Sequence, residues 1–180
     1  MAKGSYEMGK YWRDSLIRRE KMAQNLKLDR IDRHILALLQ QDGRQTAQQI
    51  SDAVGLSPTP VLRRIRLMEE AGLIKGYVAL VDQKRAGLPV SVFVSVRLER
   101  QREEELQQFS RAIADWPEVL ECYLMTGRQD FLLRVVVASL EDYDQFLKSR
   151  LTRLDGVASI ESSFALAQEK YTSALPVQAG

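Results

Sequence analysis

The segment Ser57-Pro58-Thr59-Pro60 constrains this chain more than any other, because few backbone environments accept two prolines so close together. Proline fixes φ at about −65° and has no N–H. Both restrictions are harmless in the first turn of a helix, where the N–H has no intrahelical partner anyway. Ser57 is a good N-cap residue. Beyond it Val61, Ile65 and Met68 or Leu67 recur at helical spacing, Arg63, Arg64 and Arg66 project elsewhere, and Ala71-Gly72 closes the run. The pattern predicts a helix over Leu56–Ala71 with a rigid start.

Two more helices precede it. Leu28, Ile31, Ile35, Leu38 and Leu39 form one face of a helix over Leu28–Gln41, with Asp29 as N-cap, Asp32 in the first turn and Asp42-Gly43 as the stop. A shorter helix over Thr46–Val54 has Thr46 as N-cap and Ile50, Ala53 and Val54 facing inward, and Gly55 supplies the tight turn after it. A helix, a glycine turn and a capped arginine-rich helix form the arrangement that lays its second helix in the DNA major groove. On that reading Ser57 and Thr59 donate to phosphates or base edges, and Pro58 and Pro60, with Val61 behind them, press apolar surface toward thymine methyls. Arg63 or Arg64 pairs with guanine or grips phosphate, Arg66 adds charge, and Gln45 and Thr46 offer N–H groups to a phosphate. The same spacing fits a helical hairpin packed inside a small domain with its arginines merely solvated.

Charge separates these readings only in part. The net charge is +2, common for any solvated surface. Residues 1–75 carry 14 Lys+Arg against 9 Asp+Glu, net +5, and residues 76–180 carry 12 against 15, net −3, which suggests that only the first part meets a polyanion. Cys122 is the only cysteine and His34 the only histidine, so neither a Cys/His zinc site nor an intrachain disulfide can be assembled. Cys122 reads as a small buried strand residue and His34 as a structural one. No His/Cys/Ser constellation or phosphate-cradling glycine loop points to an enzyme or a cofactor. The apolar runs, Phe131–Ala138 among them, fall far below the roughly 18 residues of a membrane span, no signal peptide is read, and the expected location is cytoplasmic.

The second half changes period. Leu73–Asp82 reads as a strand, and Lys84–Pro89 as a hinge. Val90, Val92, Val94, Val96 and Leu98 then alternate with Ser91, Ser95 and Arg97, the mark of a half-buried strand. A helix over Glu103–Ala114, strands over Val119–Thr126 and Phe131–Ala138 around a Gly127–Asp130 turn, a helix over Leu140–Leu154 and a strand over Val157–Ala167 complete the order βαββαβ of a ferredoxin-like sandwich. The expected fold class is α+β. Its parts are a leader over 1–25, helical or disordered, a helix-turn-helix domain over 26–76, strand and linker over 77–89, the sandwich over 90–170 and a tail over 171–180. In the leader, Tyr11, Trp12, Leu16, Ile17 and Met22 are loosely spaced as one helical face.

Leu28-Asp29-Arg30-Ile31-Asp32, Gln41-Asp42-Gly43-Arg44, Gly55-Leu56-Ser57-Pro58-Thr59-Pro60-Val61, Arg63-Arg64-Ile65-Arg66-Leu67-Met68-Glu69 and Gly72-Leu73-Ile74-Lys75-Gly76-Tyr77 together resemble the signature of the Lrp/AsnC, or feast/famine, family of bacterial regulators. The likeness runs from about Leu26 to Val177. It implies a winged helix-turn-helix followed by a ligand-sensing α/β-sandwich, assembling as dimers and often as octamers. Met125-Thr126-Gly127-Arg128-Gln129-Asp130-Phe131 resembles the family's Gly-x-x-Asp-aromatic turn at the amino-acid site between dimers. There Gly127 lets backbone N–H groups approach a carboxylate and Asp130 pairs with an α-ammonium group. Without the resemblance, Gly127 and Asp130 read equally as ordinary hairpin residues. Ser162-Ser163-Phe164-Ala165-Leu166 and Lys170-Tyr171-Thr172-Ser173-Ala174-Leu175-Pro176 look more like a branch that responds to cysteine than like the leucine-responsive one. The expected function is a sequence-specific DNA-binding regulator whose partners are duplex DNA, an amino-acid effector and further copies of itself. The alternative is an amino-acid-binding regulatory module of a metabolic enzyme, without DNA binding.

Overall fold

The computed structural model describes residues 27–177, so the expectations for the leader fall outside the described residues. The chain forms two compact units. One holds the described residues up to Ala79 together with the tail from Tyr171, and the other runs Leu80–Lys170.

The first unit contains helices α1 (Arg30–Gln41), α2 (Ala47–Val54) and α3 (Pro58–Glu70). Capping boxes start the first two. Asp29 Oδ1 accepts the Asp32 amide at 2.8 Å while Asp32 Oδ2 accepts the Asp29 amide at 3.0 Å, and Thr46 and Gln49 exchange the same pair of bonds at 3.2 and 2.8 Å, satisfying donors that a helix start leaves open. Gly55 ends α2 at φ +71°, a left-handed conformation that a side chain would strain. Ile35, Leu36, Ile50, Val61 and Met68 form the core, each side chain contributing on the order of 1.5–3 kcal/mol by its removal from water. Met68 is buried and Leu67 is 37% exposed, so Met68 completes the stripe of α3. The tail closes back on this unit. The Gln40 carboxamide donates to the Leu175 carbonyl at 3.1 Å and accepts the Leu175 amide at 2.6 Å, acting as a neighbouring peptide group would, and Val177 packs on the core.

The strand expected over Leu73–Asp82 does not form. The Leu73 and Ile74 amides both turn back to the Met68 carbonyl, and the following residues find no ladder partner among the described residues. Apolar, strand-favouring composition is present, but a strand needs another chain segment to take its N–H and C=O groups. Val78 and Val81 are left 85% and 73% exposed.

The second unit is the expected βαββαβ sandwich: β1 (Val90–Leu98), α4 (Glu103–Ile113), β2 (Val119–Leu124), β3 (Phe131–Val137), α5 (Leu140–Ser149) and β4 (Val157–Phe164). The strands are antiparallel in the order β2-β3-β1-β4. Period-2 alternation buries Val92, Val94, Val96 and Leu98 of β1 together with Phe131, Leu133, Val135 and Val137 of β3 against Phe109, Ile113, Tyr143 and Phe146 of the two helices. Phe109 and Phe131 stack with centroids 4.4 Å apart. Helix α5 stops five residues before the expected Leu154. The Thr152 hydroxyl donates to the Leu147 and Lys148 carbonyls, occupying acceptors that another helical turn would use, and a 3₁₀ turn over Leu151–Arg153 follows. Cys122, expected to be buried, is exposed on edge strand β2, and what desolvation it does experience raises its pKa, which disfavours the reactive thiolate. His34 is exposed on α1. No helix among the described residues is long and apolar enough to cross a membrane.

Candidate nucleic-acid and effector sites

Helix α3 presents one face to solvent. Ser57 and Thr59 are exposed, Pro58 and Pro60 half-buried, and Leu62, Arg63 and Arg66 exposed behind them. Ser57 occupies the N-cap position without a side-chain cap bond, so its hydroxyl is free to meet another partner. The two prolines remove two of the first N–H groups of the helix, which leaves Thr59 as the solvent-facing amide of the first turn. Val61 has no exposed surface. It belongs to the core and cannot contact DNA, a correction that follows from its place at the head of the apolar stripe. Leu62, 55% exposed, escaped the sequence reading. It sits three residues after Thr59 and four before Arg66, so the 3.6-residue period was the signal that could have found it.

The three arginines of α3 differ in what holds them. Arg63 has no hydrogen-bond or ion-pair partner among the described residues, and Arg66 pairs only with Glu70, one turn on, at 2.8 Å on a surface where the two side chains are 78% and 44% exposed. Arg64 is bound within the unit. Its Nη1 lies 2.8 Å from Asp29 Oδ2 and 2.6 Å from Asp32 Oδ1 at the start of α1, so its expected DNA contact meets a competing engagement. The Asp32 and Asp29 hydrogen bonds together raise the guanidinium pKa. The Asp29 carboxyl is lowered, first by the Asp32 amide and also by Arg64. At α2 the expected phosphate donors are already used: the Thr46 amide bonds Gln49 Oε1 and the Gln45 amide bonds the Asp42 carbonyl. The first-turn amides of Ala47 and Gln48 are the ones a helix start leaves open.

In the second unit Met125–Asp130 joins β2 to β3. Gly127 adopts φ +116°, a conformation open almost solely to glycine, and Met125, Thr126, Gly127 and Arg128 are exposed. Asp130, expected to meet an ammonium group, is already partly engaged within the fold. It is 7% exposed, its Oδ2 accepts the Leu98 amide at 2.7 Å, its own amide donates to Val96 and its carbonyl accepts the Met125 amide. Through Oδ2 the carboxylate therefore pins the turn to the end of β1, so a backbone donor already competes with any ligand for it. Gln129 Oε1, by contrast, is enclosed and has no partner among the described residues, which is rare for a buried acceptor. At the same end of the sheet a cavity of about 370 Å³ is lined by Leu98, Glu105, Phe109, Leu154 and Asp155 among others.

Residues 28–75 match the family model for winged helix-turn-helix DNA-binding and residues 91–175 the model for the Lrp/AsnC ligand binding domain. The Bkd operon transcriptional regulator of Pseudomonas aeruginosa is 47% identical over 151 residues, 84% of this chain and 99% of that protein. The chain belongs to the Lrp/AsnC family. Among solved structures, an AsnC family transcriptional regulator from Agrobacterium tumefaciens is 43% identical with a TM-score of 0.79, over 83% of this chain and 97% of that one. A transcriptional regulator from Neisseria meningitidis, solved as a complex with L-Met, is 35% identical with a TM-score of 0.79, over 84% and 97%. As an Lrp/AsnC protein the chain is a DNA-binding transcription regulator with a ligand-binding domain. The matched first unit removes the ground for an enzyme's regulatory module without DNA binding.

Proposed function

We propose that this regulator reads duplex DNA with the solvent face of α3, and that an amino acid, cysteine in the first instance, modulates that binding from the β2–β3 turn. The observation that carries the reading is the uncommitted face itself: Ser57 with a free hydroxyl, Thr59, Leu62, an unpartnered Arg63 and a loosely paired Arg66 on one side of a helix whose other side is core. Hydroxyls and arginines read base edges and phosphates, and Leu62 and the prolines meet thymine methyls. At the turn, the exposed Gly127 backbone suits a carboxylate, and the unpaired Gln129 Oε1 calls for a donor such as an ammonium group. Self-association belongs to the same proposal. Val78, Leu80 and Val81 beyond α3 and Tyr123 and Leu124 on edge strand β2 are all more than half exposed, and a second copy would give both the unpaired segment and the sheet edge a partner.

A mobility shift on the region upstream of the gene tests the first part. Arg63→Ala should weaken binding by about 1–3 kcal/mol if Arg63 is base-directed, or lower the salt slope by about one if it contacts phosphate. No binding at low salt would defeat the reading. Thermal-shift screening of the twenty amino acids tests the second, since a ligand that binds the native state raises its melting point; a flat screen refutes it.

A further inference from the structure

We infer that Arg64 is a positioning residue that determines the DNA specificity of α3 without touching DNA. The inference rests on the DNA-binding reading above and concerns how the reading helix is aimed.

One nitrogen, Arg64 Nη1, bridges Asp29 Oδ2 and Asp32 Oδ1 at 2.8 and 2.6 Å. The other oxygen of each carboxylate is already used in the capping box of α1. All four carboxylate oxygens thus serve two purposes at once, starting α1 and gripping the middle of α3. Asp32 is the drier partner, its side chain 13% exposed against 51% for Asp29, and a partly buried charge-assisted bond holds geometry better than a surface pair. Arg64 lies beside the buried stripe of Val61 and Met68, so the bridge fixes how α3 is rotated on α1.

Charge argues against a phosphate contact. One guanidinium with two carboxylates carries a net −1, and drawing it toward a phosphate would leave a buried Asp32 uncompensated. Arg63 and Arg66 face no such penalty. Phosphate attraction tolerates small errors in helix orientation, whereas hydrogen bonds to base edges do not. Loosening the bridge therefore erodes discrimination between sequences before it erodes general affinity.

Full-length wild type, Arg64→Met, Arg64→Lys and Asp32→Asn are titrated by fluorescence anisotropy against the upstream duplex and a scrambled duplex over a salt series, with thermal melts as the folding check. Arg64→Met should lose roughly tenfold on the upstream duplex and little on the scrambled one, with the slope of log K against log salt unchanged. Because a single nitrogen makes the bridge, Arg64→Lys should restore most of the discrimination, which it could not do for a two-pronged guanine contact. Asp32→Asn, on the α1 side of the bridge, should reproduce the loss even if Arg64→Met folds poorly. A salt slope reduced by about one unit on both duplexes would show a phosphate contact, and Arg64→Lys as poor as Arg64→Met would show base reading. Either result, or full discrimination by Asp32→Asn, overturns the inference. Wild type binding neither duplex would instead overturn the DNA-binding reading itself.

Discussion

Asp130→Ala separates a carboxylate that builds the β2–β3 turn from one that binds an effector there. The substitution leaves the backbone bonds of residue 130 to Val96 and Met125 in place and deletes only the acceptor 2.7 Å from the Leu98 amide. Leu98 is 4% exposed, so its N–H loses its partner where water reaches it poorly. A buried donor left unmade costs about 1–3 kcal/mol, and a charged acceptor places the loss near the upper end. For a unit the size of Leu80–Lys170, 1 kcal/mol corresponds to about 4–8 °C in Tm, so a loss of about 2–3 kcal/mol lowers the melting of this unit by roughly 8–24 °C. Hydrogen exchange at the Leu98 amide should accelerate by about 30- to 150-fold, the same free energy read locally. Asp130→Asn keeps an oxygen in place and should recover much of both effects. The measurements are circular-dichroism melts of the full chain and amide exchange by NMR. Unchanged Leu98 exchange and Tm, together with loss of amino-acid stabilisation, would return Asp130 to the role of a ligand group.

Two further outcomes follow from particular contacts. Ending the chain after Lys170 removes the Gln40–Leu175 pair and the Val177 contact, and should lower the stability of the helical unit by about 1–2 kcal/mol in urea unfolding; an unchanged midpoint would mean that the tail rests there without holding anything. Arg134 at 2.9 Å, and then the Tyr123 hydroxyl, lower the pKa of Glu121. A depressed carboxyl stabilises the fold above its unfolded pKa of about 4.3, and that contribution is lost as pH falls through the lower folded value. Glu121→Gln should accordingly flatten the acid limb of a stability–pH curve below about pH 4 and leave its shape near neutrality alone; a parallel downward displacement across all pH would contradict the assignment.

The fold was legible wherever local chemistry and tertiary demand agreed. Asp29 and Thr46 mark helix starts because the groups they serve lie within three residues, and Ser57-Pro58 because a proline without an N–H fits the first helical position. The valines of β1 mark a buried strand face because the alternation that a pleat imposes is written directly in the sequence. Leu73–Asp82 was misread for the complementary reason. Its residues favour a strand, but pairing is a property of two segments, and no second segment among the described residues lies alongside. Helix α5 ended early at a local competitor, the Thr152 hydroxyl, whose choice of acceptor no hydrophobic pattern encodes.

Site residues were harder because identity fixes what a side chain can do and leaves open whether something else has already engaged it. Arg63 and Arg64 are adjacent and chemically the same, yet a step of about 100° around the helix carries one to solvent and the other over the start of α1, where two capping carboxylates wait. Asp130 shows the same competition in another form, since the Leu98 amide, two strands away in the sequence, already takes one oxygen of its carboxylate. Availability is thus the quantity to establish before a polar residue is assigned to a ligand. By that measure the proposed recognition surface of α3 comprises Ser57, Thr59, Leu62, Arg63 and Arg66, and the proposed effector turn offers its backbone and Gln129 ahead of its one carboxylate.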